Sequence, residues 1–168
     1  MATNAEWSQG FARQARADFD TFLKLQRGSV SAEDIIHECH KLQFLQMACE
    51  KLVKSHLCGE GASVAAIQSS HAYISGTLPI VLMQAAHAVN FSGKHAQWVL
   101  RHARHIAREI EILAPAVKRG GNRPDNCEYP WESSGVLHRP FGLVVRSDLL
   151  AGRTIGPHLP QIASVRSG

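Results

Sequence analysis

The chain has 168 residues, 45% hydrophobic and 19% charged, and a formal net charge of +4 with its ten histidines neutral. That length supports one domain whose core needs no metal or disulfide, and the mild basic excess permits an anionic partner without demanding one. No stretch approaches the ~18 uncharged apolar residues of a membrane span, and the opening "MATNAEWSQGF" has no basic leader followed by an apolar run, so the expectation is a soluble, cytoplasmic protein with no membrane contact.

Trp7, Phe11, Ala15, Phe22 and Leu25 recur at helical spacing, and "TNAE" offers Thr3 as N-cap with Glu6 three residues on to return the bond. This predicts a first helix ending near Gly28. A second opens at "SAED", with Ser31 and Asp34 as its cap, carries Ile35, Cys39, Leu42, Leu45, Cys49, Leu52 and Val53 on one stripe, and stops at "CGEG". After a loop of small residues, "SHAYISGTLPIVLMQAAHAV" reads as a third helix, with a kink or break expected at Gly76 and Pro79 because proline lacks the donor and clashes with the preceding turn. In "KHAQWVLRHARHIAREIEILAPAVK" the positions Val99, Ala103, Ile106, Ile110, Leu113 and Val117 alternate steps of four and three, a seam that packs on another helix.

From Arg119 the composition turns to Gly, Pro, Asn and Ser with isolated aromatics, which excludes a regular helix. The reading is a loop-rich segment docked on the bundle, with Tyr129 and Trp131 around Pro130 as anchors, and short helical pieces near 148–150 and Ile162. The fold class is therefore all-α, a four- to five-helix bundle over 1–118 followed by an irregular segment over 119–168.

In the second helix Glu50 and Lys54 stand one turn apart, in the orientation that stabilises a helix by roughly 0.2–0.5 kcal/mol, and read as a partly exposed structural pair. On the fourth, Arg101, Arg104, His105 and Arg108 fall opposite the apolar seam. A basic stripe of this kind is the footprint of phosphate contacts, although Glu109 and Glu111 lie near enough to neutralise part of it. His37 with His40, and His102 with His105, could each share a helix face, but a di-iron bundle needs Glu-x-x-His on two helices and the sequence holds none; no metal or cofactor is expected. The cysteines Cys39, Cys49, Cys58 and Cys127 form no C-x-x-C pair and read as reduced, buried thiols. There is no G-x-S-x-G elbow or phosphate-binding glycine loop.

The second helix, with Gln46, Ala48, Glu50, Lys51 and Lys54, resembles the corresponding helix of HEPN (higher eukaryotes and prokaryotes nucleotide-binding) domains, where a Gln is followed by Ala, Glu-Lys and a further Lys. The first, with Trp7, Gln14, Ala15, Asp18 and Phe19, is similar to the HEPN opening. "REIEILAPAV" and "CEYPW" look like segments of bacterial relatives of this kind. The resemblance implies an antiparallel bundle, frequently a homodimer, often acting beside a nucleotidyltransferase or in toxin-antitoxin and defence systems. Its catalytic members are metal-independent ribonucleases that use an Arg and a His with four to six residues between them, often with a polar residue directly after the Arg, the Arg holding phosphate and the His moving a proton. Here Arg101 and His105 have only three residues between them, and "RTIGPH", Arg153 to His158, fits the spacing but contains Gly156 and Pro157 and puts Thr154 after the Arg. The expectation is a non-catalytic HEPN-like domain that binds RNA, a nucleotide or a protein partner through Arg101, Arg104, His105 and Arg108. The alternatives are a ribonuclease using Arg101 with His105 or Arg153 with His158, and a purely structural interaction module docking a partner near Trp131.

Overall fold

The computed structural model describes residues 2–28, 37–114, 131–133 and 135–138, the last two stretches by their backbone alone. The described residues form an all-α bundle: α1 (Asn4–Gln26), α2 (Glu38–Gly59), the short α3 (Val64–Gln68), α4 (Ile74–Ala88) and α5 (Lys94–Glu111), followed by a small hairpin of β1 (Trp131–Ser133) and β2 (Val136–His138). α1 packs most extensively on α2, and α4 on α5. Two antiparallel helical pairs result, and α2 joins them.

Helix ends follow local chemistry. Thr3 caps α1 in a full capping box: the Glu6 N–H donates to Thr3 Oγ1 at 3.2 Å, and the Thr3 N–H donates to Glu6 Oε2 at 2.7 Å. The Thr3 N–H, with the Thr3 hydroxyl donating to the same Oε2 at 3.0 Å, holds the Glu6 carboxyl below its ordinary range. Gly28, at φ +67°, takes the left-handed position just past the C-cap. α2 stops in a Schellman motif, with Ala62 N donating to Leu57 O at 3.0 Å, Gly61 N to Cys58 O at 3.1 Å, and Gly61 at φ +87°. α4 repeats the arrangement with Asn90, at φ 50°, in the glycine position; Phe91 N donates to Ala86 O at 2.8 Å and Asn90 N to His87 O at 3.2 Å.

The core gathers Val53 of α2, Ile74 and Leu78 of α4, and Ala107 and Ile110 of α5, with Leu45, Leu57 and Leu82 packed around it. Of the α2 stripe, Cys39, Leu42 and Val53 are buried, but Leu52 is 36% exposed. Cys39, Cys49 and Cys58 are free thiols, and burial pushes the Cys49 thiol up to about 12, so all three behave as small apolar side chains.

Five expectations need correction. α2 opens at Glu38, behind an extended His37, rather than at Ser31. α4 starts at Ile74 and runs through Pro79 without a break. The lost donor falls in the second turn, while buried Ile74 and Leu78 hold the segment on the core. The loop after α2 contains α3, anchored by buried Ile67. α5 closes at Glu111 rather than running on to Val117, because Pro115 disfavours helical backbone at Ala114; the seam ends with buried Leu113 and Ala114 in a turn. The stretch read as wholly irregular holds the β1-β2 hairpin, whose register pairs Ser133 with Val136 and whose turn carries Gly135 at φ +75°. The cap at Ser31 and Asp34, Ile35, Val117, Cys127, Tyr129, the pieces near 148–150 and Ile162, and the pair Arg153 and His158 lie outside the described residues, as does the side chain of Trp131.

Candidate nucleic-acid interface

The charges of α2 do not lie on its wet side. Gln46, Glu50 and Lys54 repeat every fourth residue, and the Glu50 and Lys54 side chains are only 13% and 7% exposed. Lys54 Nζ meets Glu50 Oε1 at 2.7 Å, while Glu50 Oε2 accepts from Gln46 Nε2 at 3.0 Å and from His71 Nδ1 at 2.9 Å. Burial pushes the Glu50 carboxyl up; the bonds from Lys54, His71 and Gln46, with the Lys54 charge, outweigh it and leave the group below its ordinary value. On the other flank, Lys51 reaches Asp18 of α1, which is 4% exposed and also accepts from Gln14 Nε2 at 3.1 Å. Buried Ala15 and Ala48 lie along the same pair of helices, and the two helices are tied at one end by Ser8 and Ser55, each hydroxyl donating to the other's carbonyl oxygen at 2.9 and 2.8 Å.

The polar residues among those that carry the resemblance therefore form a seam in two parts along α2, Gln46, Glu50 and Lys54 with His71 on one flank and Lys51 with Asp18 and Gln14 on the other, whereas Trp7, Ala15, Phe19 and Ala48 are apolar. Chemically the seam is closed: Glu50 stays ionised and has its oxygens occupied, which makes it a poor proton acceptor. His71 is the member that sequence reading missed. It lies 21 positions from Glu50 in a turn before α4, and no helical periodicity links two such positions.

The second constellation faces outward. Arg101, Arg104, His105 and Arg108 are all exposed on α5, opposite buried Ala96, Ala103, Ala107 and Ile110. Among the described residues, none of the four side chains makes a hydrogen bond or ion pair. Glu111, which could have neutralised the stripe, is buried and turned away; its Oε1 accepts the Ser75 N–H at 3.0 Å, so α5 caps the first turn of α4. Glu109 is half-buried with no ion pair among the described residues. Arg101 and Arg104 also edge a groove of about 410 Å³ between α4 and α5, floored by Leu100 and walled by Pro79, Ile80 and Met83.

The two histidine pairs differ. His102 stacks on Trp98 with ring centroids 4.4 Å apart and engages the Trp98 carbonyl through Nδ1 at 2.7 Å, while His105 points to solvent. The His37 and His40 rings meet edge to face at 6.1 Å. Among the described residues no three His, Cys, Asp or Glu side chains come together as a metal site would require, and no helix is long and apolar enough to cross a membrane. Comparison with protein-family models, with curated proteins and with solved structures finds no match to this chain.

Proposed function

We propose that this chain is a non-catalytic HEPN-like module, homodimeric, that binds an anionic partner through α5. RNA, a nucleotide and an acidic protein surface all answer that description, and a toxin-antitoxin or defence setting, beside a nucleotidyltransferase, follows by analogy. The observation that carries the reading is the set of three exposed guanidinium groups on one helix face, with no carboxylate paired to them among the described residues. On α1 one exposed arginine, Arg16, is laced to Asp20 at 2.9 Å and another, Arg13, is unpaired among the described residues, whereas on α5 three unpaired arginines share one face. His105 lacks an orienting hydrogen-bond partner among the described residues, which favours binding over proton transfer.

The test incubates end-labelled single-stranded RNA with the purified protein across a salt series without added metal, on native and denaturing gels. A salt-sensitive shift is expected, and Arg101→Ala/Arg104→Ala/Arg108→Ala should weaken it and reduce the log–log salt slope by about 0.7 for each phosphate that is no longer neutralised. An unchanged slope would make α5 a solvated face. Cutting that vanishes in His105→Ala would replace the module with a metal-independent ribonuclease.

A further inference from the structure

The basic face of α5 does not stand alone: it is one rim of a groove whose other wall is apolar. On α4, Ile80 and Met83 are 45% and 48% exposed and one turn apart, beside Pro79 and above Leu100 of α5. α4 itself carries no Lys, Arg, Asp or Glu. The groove is therefore apolar along α4 and its floor, and cationic along α5, where Arg101 and Arg104 edge it and Arg108 continues the row one turn on.

A single-stranded nucleic acid would want aromatic faces on which bases stack, and no Phe, Tyr or Trp among the described residues lines this groove. An amphipathic helix matches both sides at once: apolar residues at i, i+3/i+4 and i+7 seat on Ile80 and Met83, and acidic residues along one flank meet the arginines. Methionine suits such a wall because its unbranched side chain adapts to different partners. From Gly76 to Met83 the α4 wall rises roughly 10 Å, enough for two turns of a bound helix. Resting on the reading of α5 as the binding face, we infer that the α4-α5 groove is a docking site for an acidic amphipathic helix of a partner protein.

The experiment screens the full chain against a displayed library of helical peptides of about 18 residues, roughly 27 Å long, and measures enriched clones by fluorescence anisotropy beside a labelled single-stranded RNA. Two surface variants are read in parallel, Met83→Asp and Arg101→Glu/Arg104→Glu, with circular dichroism to confirm that each remains helical. Enriched clones should carry apolar residues at helical spacing with Asp or Glu on one flank, and each variant should weaken them by about tenfold or more, the scale of a hot-spot loss. Lysine in place of the acidic flank should restore binding to the charge-reversed variant only. Clones without an acidic flank, or indifferent to Met83→Asp, would overturn the docking site. RNA binding that needs the arginines but not Met83, with no peptide enriched, would overturn it while leaving α5 as the binding face. If neither probe responds to the arginines, both readings fall.

Discussion

At Glu50 one carboxylate accepts from Lys54, Gln46 and His71, and its partners differ in what its loss would do. Lys54 is 5% exposed and Gln46 2%, so neither recovers water, whereas His71 is half open to solvent. Glu50→Met, like Lys54→Met, should therefore cost about 3 kcal/mol, the scale for stranding one member of a buried ion pair. Glu50→Met/Lys54→Met should recover about half of that, with the Gln46 amide still unpaired. Urea unfolding of the wild type, both singles and the double gives the coupling; additive singles would mean that the amine is solvated after all. The same carboxyl sets a pH dependence. Its folded pKa lies below the ordinary 4.5, so the unfolded chain takes up the proton first as pH falls. The contribution is thus complete above about pH 4.5 and lost as pH drops through the lower, folded value. Melts between pH 7 and pH 3 should show Glu50→Gln losing less stability on acidification than the wild type, and parallel curves would remove Glu50 from the acid transition.

The helices differ in how openly the sequence announces them. Thr3 and Glu6 satisfy each other three residues apart, and the two faces of α5 separate on simple periodicity, so both are legible from spacing. What decides α3, the run of α4 through Pro79 and the turned-away Glu111 is contact between segments distant in sequence. Ser75 and Glu111 are 36 positions apart. For the same reason the Glu50-Lys54 pair reads as a partly exposed structural pair until His71 is seen against Glu50, whereas Arg101, Arg104, His105 and Arg108 fall on the outer face that periodicity gives them because nothing folds back on them among the described residues. Backbone conformation gives a test at this scale. Gly10 sits inside α1 with open space where a Cβ would go, while Gly61 holds φ +87° in the α2 stop. Gly10→Ala should stabilise by about 0.5–1 kcal/mol through helix propensity, and Gly61→Ala should destabilise by about 1–2 kcal/mol through left-handed strain. Thermal melts that moved both variants the same way would contradict the assigned ends of these helices.

Over the whole molecule the two helical pairs are unequal. The central cluster draws on α2, α4 and α5 and contains no residue of α1. Between α1 and the α4-α5 pair runs an apolar trough of about 410 Å³, with Ala12 and Phe19 on one wall, Leu78 and Ile106 on the other, and Leu52 on the α2 floor. Within the described residues α1 is thus held from one side, by the Ser8-Ser55 exchange and the Lys51-Asp18 bond, with Ala15 buried. An element attached through one face opens at lower free energy than the cluster it leans on. Native-state hydrogen exchange should accordingly find the central amides of α1 exchanging through a sub-global opening, while those of α4 and α5 near Leu78 and Ala107 need global unfolding. Lys51→Met leaves the 4%-exposed Asp18 with Gln14 alone, so it should speed α1 exchange and leave the α4-α5 opening energy almost unchanged. Equal acceleration across all helices would mean that the seam is part of the core cooperative unit. Because Arg101, Arg104 and Arg108 lie on the slowly opening pair, the proposed binding face should keep its ligand affinity in Lys51→Met even where α1 is loosened, and a parallel loss of affinity would tie α1 to the site.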